Sequence, residues 1–233
     1  MRNHPFYVIL FLVIKMKTIV FDFDGTLTKK SNEIWTRMWR AIDALDVDYK
    51  LYKQYKNKEI DYVRWCELIQ EEYTKRGFNK ELLYTLINDI ELMDNLKETL
   101  IELKHRGYKL YIVSGGIKEV IKYKLKDLYD YFDGVSACEF IFDNNENLER
   151  IIPTKYDEEG KKIFIDEYCA LNHCDPKDIT FIGNDINDEY VYLSGCQTIC
   201  LNPTKFADYG NQNIWHKVIL DVEDMKVILD FLK

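Results

Sequence analysis

The feature that most constrains the fold is an apolar run that ends in two aspartates one residue apart. Residues 17–28 read KTIVFDFDGTLT, and the β-branched and aromatic residues at their start predict a strand that is buried on both faces. In an extended chain, side chains i and i+2 point the same way. Asp22 and Asp24 are therefore predicted to share one small volume at the strand's carboxyl end, where open α/β sheets bind ligands. The alternative is an ordinary Asp-Gly turn with solvated carboxylates.

Two later strands of the predicted fold also end in polar residues. Residues 108–113 lead into Ser114, Gly115 and Gly116, and residues 179–182 lead into the segment GNDIND at 183–188. Strands alternate with helical patterns along the chain, which predicts an α/β fold with a parallel sheet. A parallel sheet brings these three strand ends to one edge.

A helical insert is predicted between the first strand and the rest of the sheet. Residues 29–92 carry apolar residues at helical spacing, so we predict a helical cap at 29–92 and a core made of 16–28 and 93–233. The aromatic stripe of Trp35, Trp39, Tyr62 and Trp65 is interpreted as cap core, with a few members lining a cleft. Later in the chain we expect a hairpin over 140–152, a short helix near Lys205 and a closing helix at 222–232.

Composition and charge narrow the class of protein. With 233 residues, 47% of them hydrophobic, the chain has enough apolar residues for one large domain or a core with a small insert. A formal net charge of −8 argues against a nucleic-acid binder. The six cysteines form no C-x-x-C pair, which favours free thiols and a cytoplasmic location. A zinc site at Cys169, His173 and Cys174 would lack a fourth ligand.

The first fifteen residues are interpreted as an extension outside the domain. Residues 5–14 are almost wholly apolar, yet this run is too short to span a bilayer and no small-residue cleavage site follows it. We therefore expect no membrane partner. Our hypothesis is that residues 1–15 are dispensable or reflect a start codon placed too early, so a truncation that begins at Met16 is expected to fold.

The polar strand ends predict phosphoryl chemistry. Carboxylates without histidines favour a hard cation, most plausibly Mg²⁺. Ser114 and the backbone N–H groups after it resemble an anion site. Lys161 and Lys162 lie in the first turn of a predicted helix at 158–171, where a cation is disfavoured unless an anion is near; a solvated lysine pair is the alternative. In such a site one aspartate attacks phosphorus and the other protonates the leaving alcohol.

Four segments, in order, resemble the motifs of the haloacid dehalogenase superfamily: DFDGT at 22–26, Ser114, Lys161, and GNDIND at 183–188. The VSGG segment at 113–116 is most similar to the phosphoserine phosphatase-like branch, and the resemblance covers residues 16–232. It implies a Rossmann-like α/β core with a small helical cap inserted after the first strand. It also implies Mg²⁺-dependent hydrolysis of a small phosphorylated metabolite through an aspartyl-phosphate intermediate.

The resemblance also implies residue roles. Asp22 is the nucleophile and a metal ligand, and Asp24 is the general acid and base that binds metal through its backbone carbonyl. Ser114, Gly115 and Lys161 hold the phosphoryl group, with Lys162 as the alternative to Lys161.

The fourth motif and the cap depart from the family pattern. Asn184 stands where an aspartate is usual, so we predict Asp185 as the carboxylate ligand, Asn184 as an amide ligand and Asp188 as an outer-shell residue. In the cap, Glu33 is shifted from the place of the branch's substrate-binding glutamate. Arg64 occurs near Ile69, but no arginine stands at the branch's expected position, which is nearer Ile69. Phosphoserine is therefore one possible substrate. A phosphotransferase or phosphomutase, or a non-catalytic binding protein, is the alternative function. Nothing in the sequence predicts an oligomeric state.

Overall fold

The computed structural model describes residues 17–232, and in these residues seven strands form one sheet. The strands are β1 (Thr18–Phe21), β2 (Lys109–Ile117), β3 (Gly134–Phe142), β4 (Leu148–Ile152), β5 (Ile179–Gly183), β6 (Gln197–Leu201) and β7 (Lys217–Ile219). Their order across the sheet is β4-β3-β2-β1-β5-β6-β7. Every described strand pair is parallel except β3 with β4. The predicted α/β fold with a mostly parallel sheet is confirmed.

Seven α-helices accompany the sheet in the described part of the chain. They are α1 (Ile34–Ala41), α2 (Leu45–Lys56), α3 (Tyr62–Lys75), α4 (Lys80–Leu86), α5 (Leu96–His105), α6 (Lys118–Leu125) and α7 (Glu159–Asn172). Short 3₁₀ segments cover Lys126–Tyr131, Pro176–Asp178, Ile186–Ser194 and Met225–Asp230.

The first strand lies at the centre of the sheet and is buried on both faces, as its composition predicts. Ile19 and Phe21 point to one side, toward α5 and α6, whereas Val20 points to the other, toward α7. Phe21 lies opposite Ile112 of β2 and Ile182 of β5. The residues that follow these three strands therefore leave the sheet side by side, which places their polar side chains at one edge.

The helices α1 to α4 are inserted between β1 and α5, and the two connections to them run together. The Lys29 N–H donates to the Glu91 carbonyl at 3.0 Å, and the Met93 N–H donates to the Leu27 carbonyl at 2.9 Å. Thr28 and Leu92 form an antiparallel bridge between these bonds. The chain thus enters and leaves the helical segment at one point; its assignment to a separate cap domain stays a prediction.

The predicted hairpin over 140–152 is present as the antiparallel pair β3–β4. It packs against α3: the Ile151 N–H donates to the Gln70 side-chain oxygen at 2.8 Å, and the Thr74 hydroxyl donates to the Leu148 carbonyl at 3.3 Å. The far edge of the sheet therefore helps to hold the helices of residues 29–92 in place.

Two predictions for the second half of the chain are wrong. No helix forms near Lys205, because the Thr204 N–H donates to the Asn184 carbonyl at 2.9 Å and thereby ties this loop to the end of β5. The closing segment at 222–232 contains a 3₁₀ turn at Met225–Asp230 instead of an α-helix. The prediction for residues 1–15 falls outside the described residues. Among residues 17–232, no helix combines the length and the apolar character needed to cross a bilayer.

Candidate active site

The turn after β1 carries the two aspartates and is held by its own backbone. The Phe23 carbonyl accepts a hydrogen bond from the Leu27 N–H at 2.9 Å. Gly25 adopts a positive φ of 79°, and a Cβ placed there would lie 2.3 Å from the side-chain nitrogen of Asn184. Only glycine takes up this backbone conformation without strain, and only glycine lets the first and fourth motifs approach this closely.

Lys161 binds the carboxylate of Asp22. Its ammonium nitrogen lies 3.0 Å from Asp22 Oδ1 and 2.5 Å from Asp188 Oδ1, and the lysine is fully buried. Burial raises the pKa of Asp22 to about 6, although Lys161 acts in the opposite direction. Burial alone would lower the pKa of Lys161, but Asp188 and Asp22 together hold it above its ordinary value. Lys161 therefore remains a cation beside the predicted nucleophile.

The alternative lysine does not reach the site. Lys162 is half-exposed and pairs with Asp166 one helical turn along α7. Adjacent helical residues point about 100° apart, so only one of the two lysines can face the sheet edge.

Asp24 lies beside Asp22 but has no lysine of its own. Its Oδ1 accepts a hydrogen bond from the Asn32 N–H at 2.9 Å. Burial raises the pKa of Asp24 to about 7, and the negative charge of Asp22 adds to this effect. The site thus contains two neighbouring carboxylates in different surroundings: one paired with a cation, the other held by a single backbone donor.

Asp188 organises the fourth motif from beneath. Its Oδ2 accepts hydrogen bonds from the backbone N–H groups of Asn184 at 2.8 Å and Asp185 at 3.1 Å, while Oδ1 binds Lys161. Asp185 Oδ1 accepts from the Thr204 hydroxyl at 2.6 Å. Asp188 therefore fixes both the predicted ligands and the lysine, and Thr204 is a contributor that the sequence analysis missed.

Ser114 and Gly115 follow the regular part of β2, where the pairing with β3 shifts its register between Val113 and Ile117. The Ser114 hydroxyl oxygen accepts from the Gly116 N–H at 3.1 Å. A Cβ at Gly115 would lie 2.4 Å from a carboxylate oxygen of Asp157. Asp157 is a second residue that the sequence analysis missed; burial raises the pKa of its carboxyl group.

These groups converge on one cavity of about 200 Å³ between the sheet edge and helices α1 to α3. One side of the cavity is lined by four residues that we call the acidic floor: Asp22, Asp24, Asn184 and Asp185. Ser114, Gly115 and Asp157 line it as well. From the opposite side it is lined by the rings of Trp35, Tyr55, Tyr62 and Trp65, which we call the aromatic wall. The interpretation that a few residues of the aromatic stripe line a cleft agrees with this arrangement, whereas Trp39 is fully buried.

The candidate substrate residue of the cap, Glu33, and the nearby Arg64 lie elsewhere. Glu33 is exposed at the start of α1, with a positive φ of 49°, and does not line the cavity. Arg64 lies on the outer face of α3, where it pairs with Glu67 and Glu71. The described part of the chain therefore brings neither side chain into the cleft.

The donor set of the acidic floor fits a hard divalent cation. All of its side-chain ligating atoms are oxygens, the chemistry that Mg²⁺ prefers, and Lys161 is the only cation in contact with its carboxylates among the described side-chain bonds. Among residues 17–232, no three His, Cys, Asp or Glu side chains converge on a single point as a ready-made metal cluster. The residues thus suit Mg²⁺ by chemistry and charge.

Comparison with known proteins agrees with this geometry. The family profile of haloacid dehalogenase-like hydrolases matches residues 16–189. A phosphoserine phosphatase of Archaeoglobus fulgidus is 27% identical over 74% of this chain and 48% of its own length. One from Methanocaldococcus jannaschii is 22% identical over 94% of this chain and 99% of its own length. The chain therefore spans about half of the first relative and nearly all of the second.

Solved structures show the same fold. A phosphoserine phosphatase described as a phospho-aspartyl intermediate analogue aligns with a TM-score of 0.67 and 21% identity, over 94% of this chain and all of its own. A phosphoserine phosphatase from T. onnurineus aligns with a TM-score of 0.62 and 18% identity, over 94% of this chain and 96% of its own. The predicted resemblance to the phosphoserine phosphatase-like branch is confirmed, and the chain belongs to the haloacid dehalogenase-like hydrolase family.

Proposed function

We propose that the chain is a Mg²⁺-dependent phosphatase that hydrolyses a small phosphomonoester. The observation that carries the proposal is the convergence of Asp22, Asp24, Ser114 and Lys161 with Asn184 and Asp185 at one cavity. Phosphoryl transfer needs a positioned nucleophile and positive partners for the phosphoryl oxygens. The cavity places these groups together in a member of a hydrolase family whose similar relatives are named phosphoserine phosphatases.

Asp22 is the nucleophile in this proposal. Its Oδ1 is held by Lys161, which leaves Oδ2 to attack phosphorus and form an aspartyl-phosphate while the P–O bond of the ester breaks. Asp24 donates a proton to the leaving alcohol oxygen and then removes one from the water that attacks the aspartyl-phosphate. The Asn32 N–H fixes Asp24 Oδ1, so its other oxygen is the one available for proton transfer.

Asp22, Asp24, Asn184 and Asp185 would hold Mg²⁺, Asp24 through its backbone carbonyl. When bound, the ion offsets charge on the phosphoryl oxygens. Ser114 and the backbone at Gly115 hold the remaining phosphoryl oxygens, and Lys161 offsets the charge of Asp22 from beneath. Asp188 keeps Lys161 and the 184–185 backbone in position. A cytoplasmic location is part of the proposal, supported by six free thiols.

The test is phosphate release from a panel of small phosphomonoesters, with p-nitrophenyl phosphate as a general reporter, in Mg²⁺ and in EDTA. We expect Mg²⁺-dependent release and, after rapid acid quenching, one added phosphoryl mass on the tryptic peptide that contains Asp22. Transfer to an added alcohol with little free phosphate would replace the phosphatase with a phosphotransferase. No turnover of any ester would favour a binding protein.

A further inference from the structure

The wall of the cavity that faces the leaving group is built from aromatic rings. Trp65 lies at its centre: its ring centroid is 5.9 Å from that of Trp35, 5.4 Å from Tyr55 and 5.7 Å from Tyr62. All four rings line the same cavity as the acidic floor. Ring faces attract cations through their quadrupole, and clusters of rings bind ammonium groups.

The charged residues that line the cavity are all acidic, and Lys56, a cation at its rim, is paired with Glu158. The residues that line the cavity include five carboxylates, those of Asp22, Asp24, Asp157, Glu158 and Asp185, and none of the described lining residues is Lys, Arg or His. Asp22, Asp24 and Asp185 belong to the proposed Mg²⁺ and phosphoryl site, which leaves Asp157 and Glu158 beside the wall. A carboxylate on the leaving group would meet these two carboxylates, whereas an ammonium group would meet opposite charge. The selection by charge therefore adds to the selection by the rings.

The protein itself has one ammonium group beside the aromatic wall. Lys56, at the end of α2, has its Nζ 5.5 Å from the ring centroid of Tyr52 and 5.8 Å from that of Tyr55. The same nitrogen is 2.7 Å from a carboxylate oxygen of Glu158. A cation between tyrosine rings and an acidic side chain is thus a stable arrangement at the rim of this cavity.

We infer that the substrate is the phosphomonoester of a small amino alcohol, with an ammonium group and no carboxylate, and that its cation lies against the aromatic wall. The inference rests on the proposed function and adds the substrate class. The cavity of about 200 Å³ is smaller than the roughly 300 Å³ at which pockets for drug-sized ligands begin, so it suits a compact headgroup better than a nucleoside.

Two matched pairs of esters test the inference. Phosphoethanolamine is phosphoserine without the carboxylate, and 3,3-dimethylbutyl phosphate has the shape of phosphocholine without the charge. We expect kcat/KM to be at least about tenfold higher for phosphoethanolamine than for phosphoserine, because the carboxylate of phosphoserine meets acidic lining residues. We expect a similar factor for phosphocholine over its neutral counterpart, as one desolvated cation–π contact provides. Equal values in both pairs, or a preference for phosphoserine, would overturn the inference.

Variants locate the effect. Trp65→Leu should lower the phosphocholine to dimethylbutyl phosphate ratio about tenfold, and Trp65→Phe should restore part of it. Since a misfolded variant loses both esters alike, the ratio separates recognition from folding. The matched control is Tyr84→Leu, which removes a ring of α4 that stacks on Tyr123 and does not line the cavity; its ratio should equal that of the unmodified chain.

Lys56 provides the opposing test. If the leaving group were an anion, Lys56 would be its partner, and Lys56→Gln would lower kcat/KM for phosphoserine more than for phosphoethanolamine. The inference expects Lys56→Gln to leave the preference for phosphoethanolamine unchanged or higher, because Glu158 is then released to face the substrate's cation. Failure of the proposed function looks different: the chain would then hydrolyse none of these esters, nor p-nitrophenyl phosphate.

Discussion

The two sides of the cavity differ in how their side chains are held. On the acidic floor each carboxylate has a dedicated partner: Lys161 for Asp22, the Asn32 N–H for Asp24 and the Thr204 hydroxyl for Asp185. The aromatic wall is held mainly by ring contacts. Two hydrogen bonds join it to the sheet, from Trp35 Nε1 to the Gly115 carbonyl at 3.0 Å and between the Tyr62 hydroxyl and Cys138 Sγ at 3.1 Å. The floor is therefore fixed by directional bonds, and the wall mainly by packing.

This difference suggests separate roles for the two sides: the acidic floor carries out phosphoryl transfer, and the aromatic wall selects the substrate. Phosphoryl transfer requires a few atoms placed to within a fraction of an ångström, and directional bonds from the sheet edge supply that. Recognition of a headgroup tolerates more variation, because ring packing and charge sign are less sensitive to small shifts. Changes to the floor are accordingly expected to cost rate for every substrate, and changes to the wall to alter the ranking of substrates.

The largest expected effect is that of Asp22→Asn. Removal of the nucleophile should lower kcat by about a millionfold, the scale seen when a catalytic nucleophile is lost, for all esters alike. Lys161 keeps Asp188 as a partner, so the thermal midpoint should stay within a few degrees of the unmodified chain. Steady-state kinetics and a thermal melt check both. Asp46→Asn, an exposed carboxylate outside the cavity, is the control; an active Asp22→Asn variant would refute the assignment.

The next largest effect is expected from metal removal, and it should depend on pH. Burial raises the pKa of Asp22 from 3.8 to about 6 and that of Asp24 from 3.8 to about 7. The folded metal-free protein therefore holds protons that the unfolded chain has released, and its stability should fall as pH rises from about 4 to about 7. Mg²⁺ binds the ionised carboxylate of Asp22, so the rise in thermal midpoint on its addition should be larger near pH 8 than near pH 5.5.

Calorimetry at several pH values, with and without Mg²⁺, measures this difference. EDTA should abolish phosphate release at every pH, whereas the stabilisation by Mg²⁺ should shrink toward acid. A stabilisation independent of pH would mean that the ion binds away from the acidic floor. Asp133→Asn, which removes a carboxylate that pairs with Lys104 and Lys109 far from the motifs in sequence, should leave the dependence on Mg²⁺ intact.

A smaller effect on all substrates is expected from Asp188→Asn. The amide keeps one acceptor oxygen but loses the charge that holds Lys161. Its NH₂ group only donates, so the side chain can no longer accept from Lys161 and from the Asn184 and Asp185 N–H groups together. We expect kcat or Mg²⁺ affinity to fall by about 10–100-fold, as is typical when a group that orients metal ligands is changed. Kinetic titration with Mg²⁺ measures both; an equal loss in Asn187→Ala, the neighbouring change, would point to a general disturbance of the loop.

Features that depend on local sequence could be predicted, whereas features that depend on contacts between distant segments could not be decided from sequence alone. The apolar run TIVF and the spacing of the two aspartates after it are local features. They specified a buried strand and the shared direction of Asp22 and Asp24 without reference to the rest of the chain. The choice between Lys161 and Lys162 was not local, since it depends on how α7 is rotated against the sheet. The predicted helix near Lys205 failed for a similar reason: a bond to Asn184, distant in sequence, holds the segment as a loop.

Other residues carried no pattern that would have marked them. Asp157 precedes α7 in a segment without periodicity, and its place beside Gly115 follows only from the packing of α7 on β2. Gly134 to Ala137 were missed as part of β3, because small and polar residues there hide the strand pattern. In the cap, the aromatic spacing predicted helices but not which rings face the cleft; that depends on how α1, α2 and α3 pack together.

The smallest expected effect comes from the hydrogen bond that joins Trp35 of the wall to the Gly115 carbonyl. Trp35→Phe removes the donor to the Gly115 carbonyl and keeps a ring against Trp65. One neutral hydrogen bond contributes about 1 kcal/mol, or roughly fivefold, so KM should rise by about that factor with little change in kcat. Trp39→Phe is the matched control on the same helix, since the Trp39 indole N–H has no partner among the described residues. If both variants raised KM equally, the hydrogen bond would have no special role, and loosened packing of α1 would explain the change. A rise confined to Trp35→Phe would mean that a directional bond positions the wall as well as the floor.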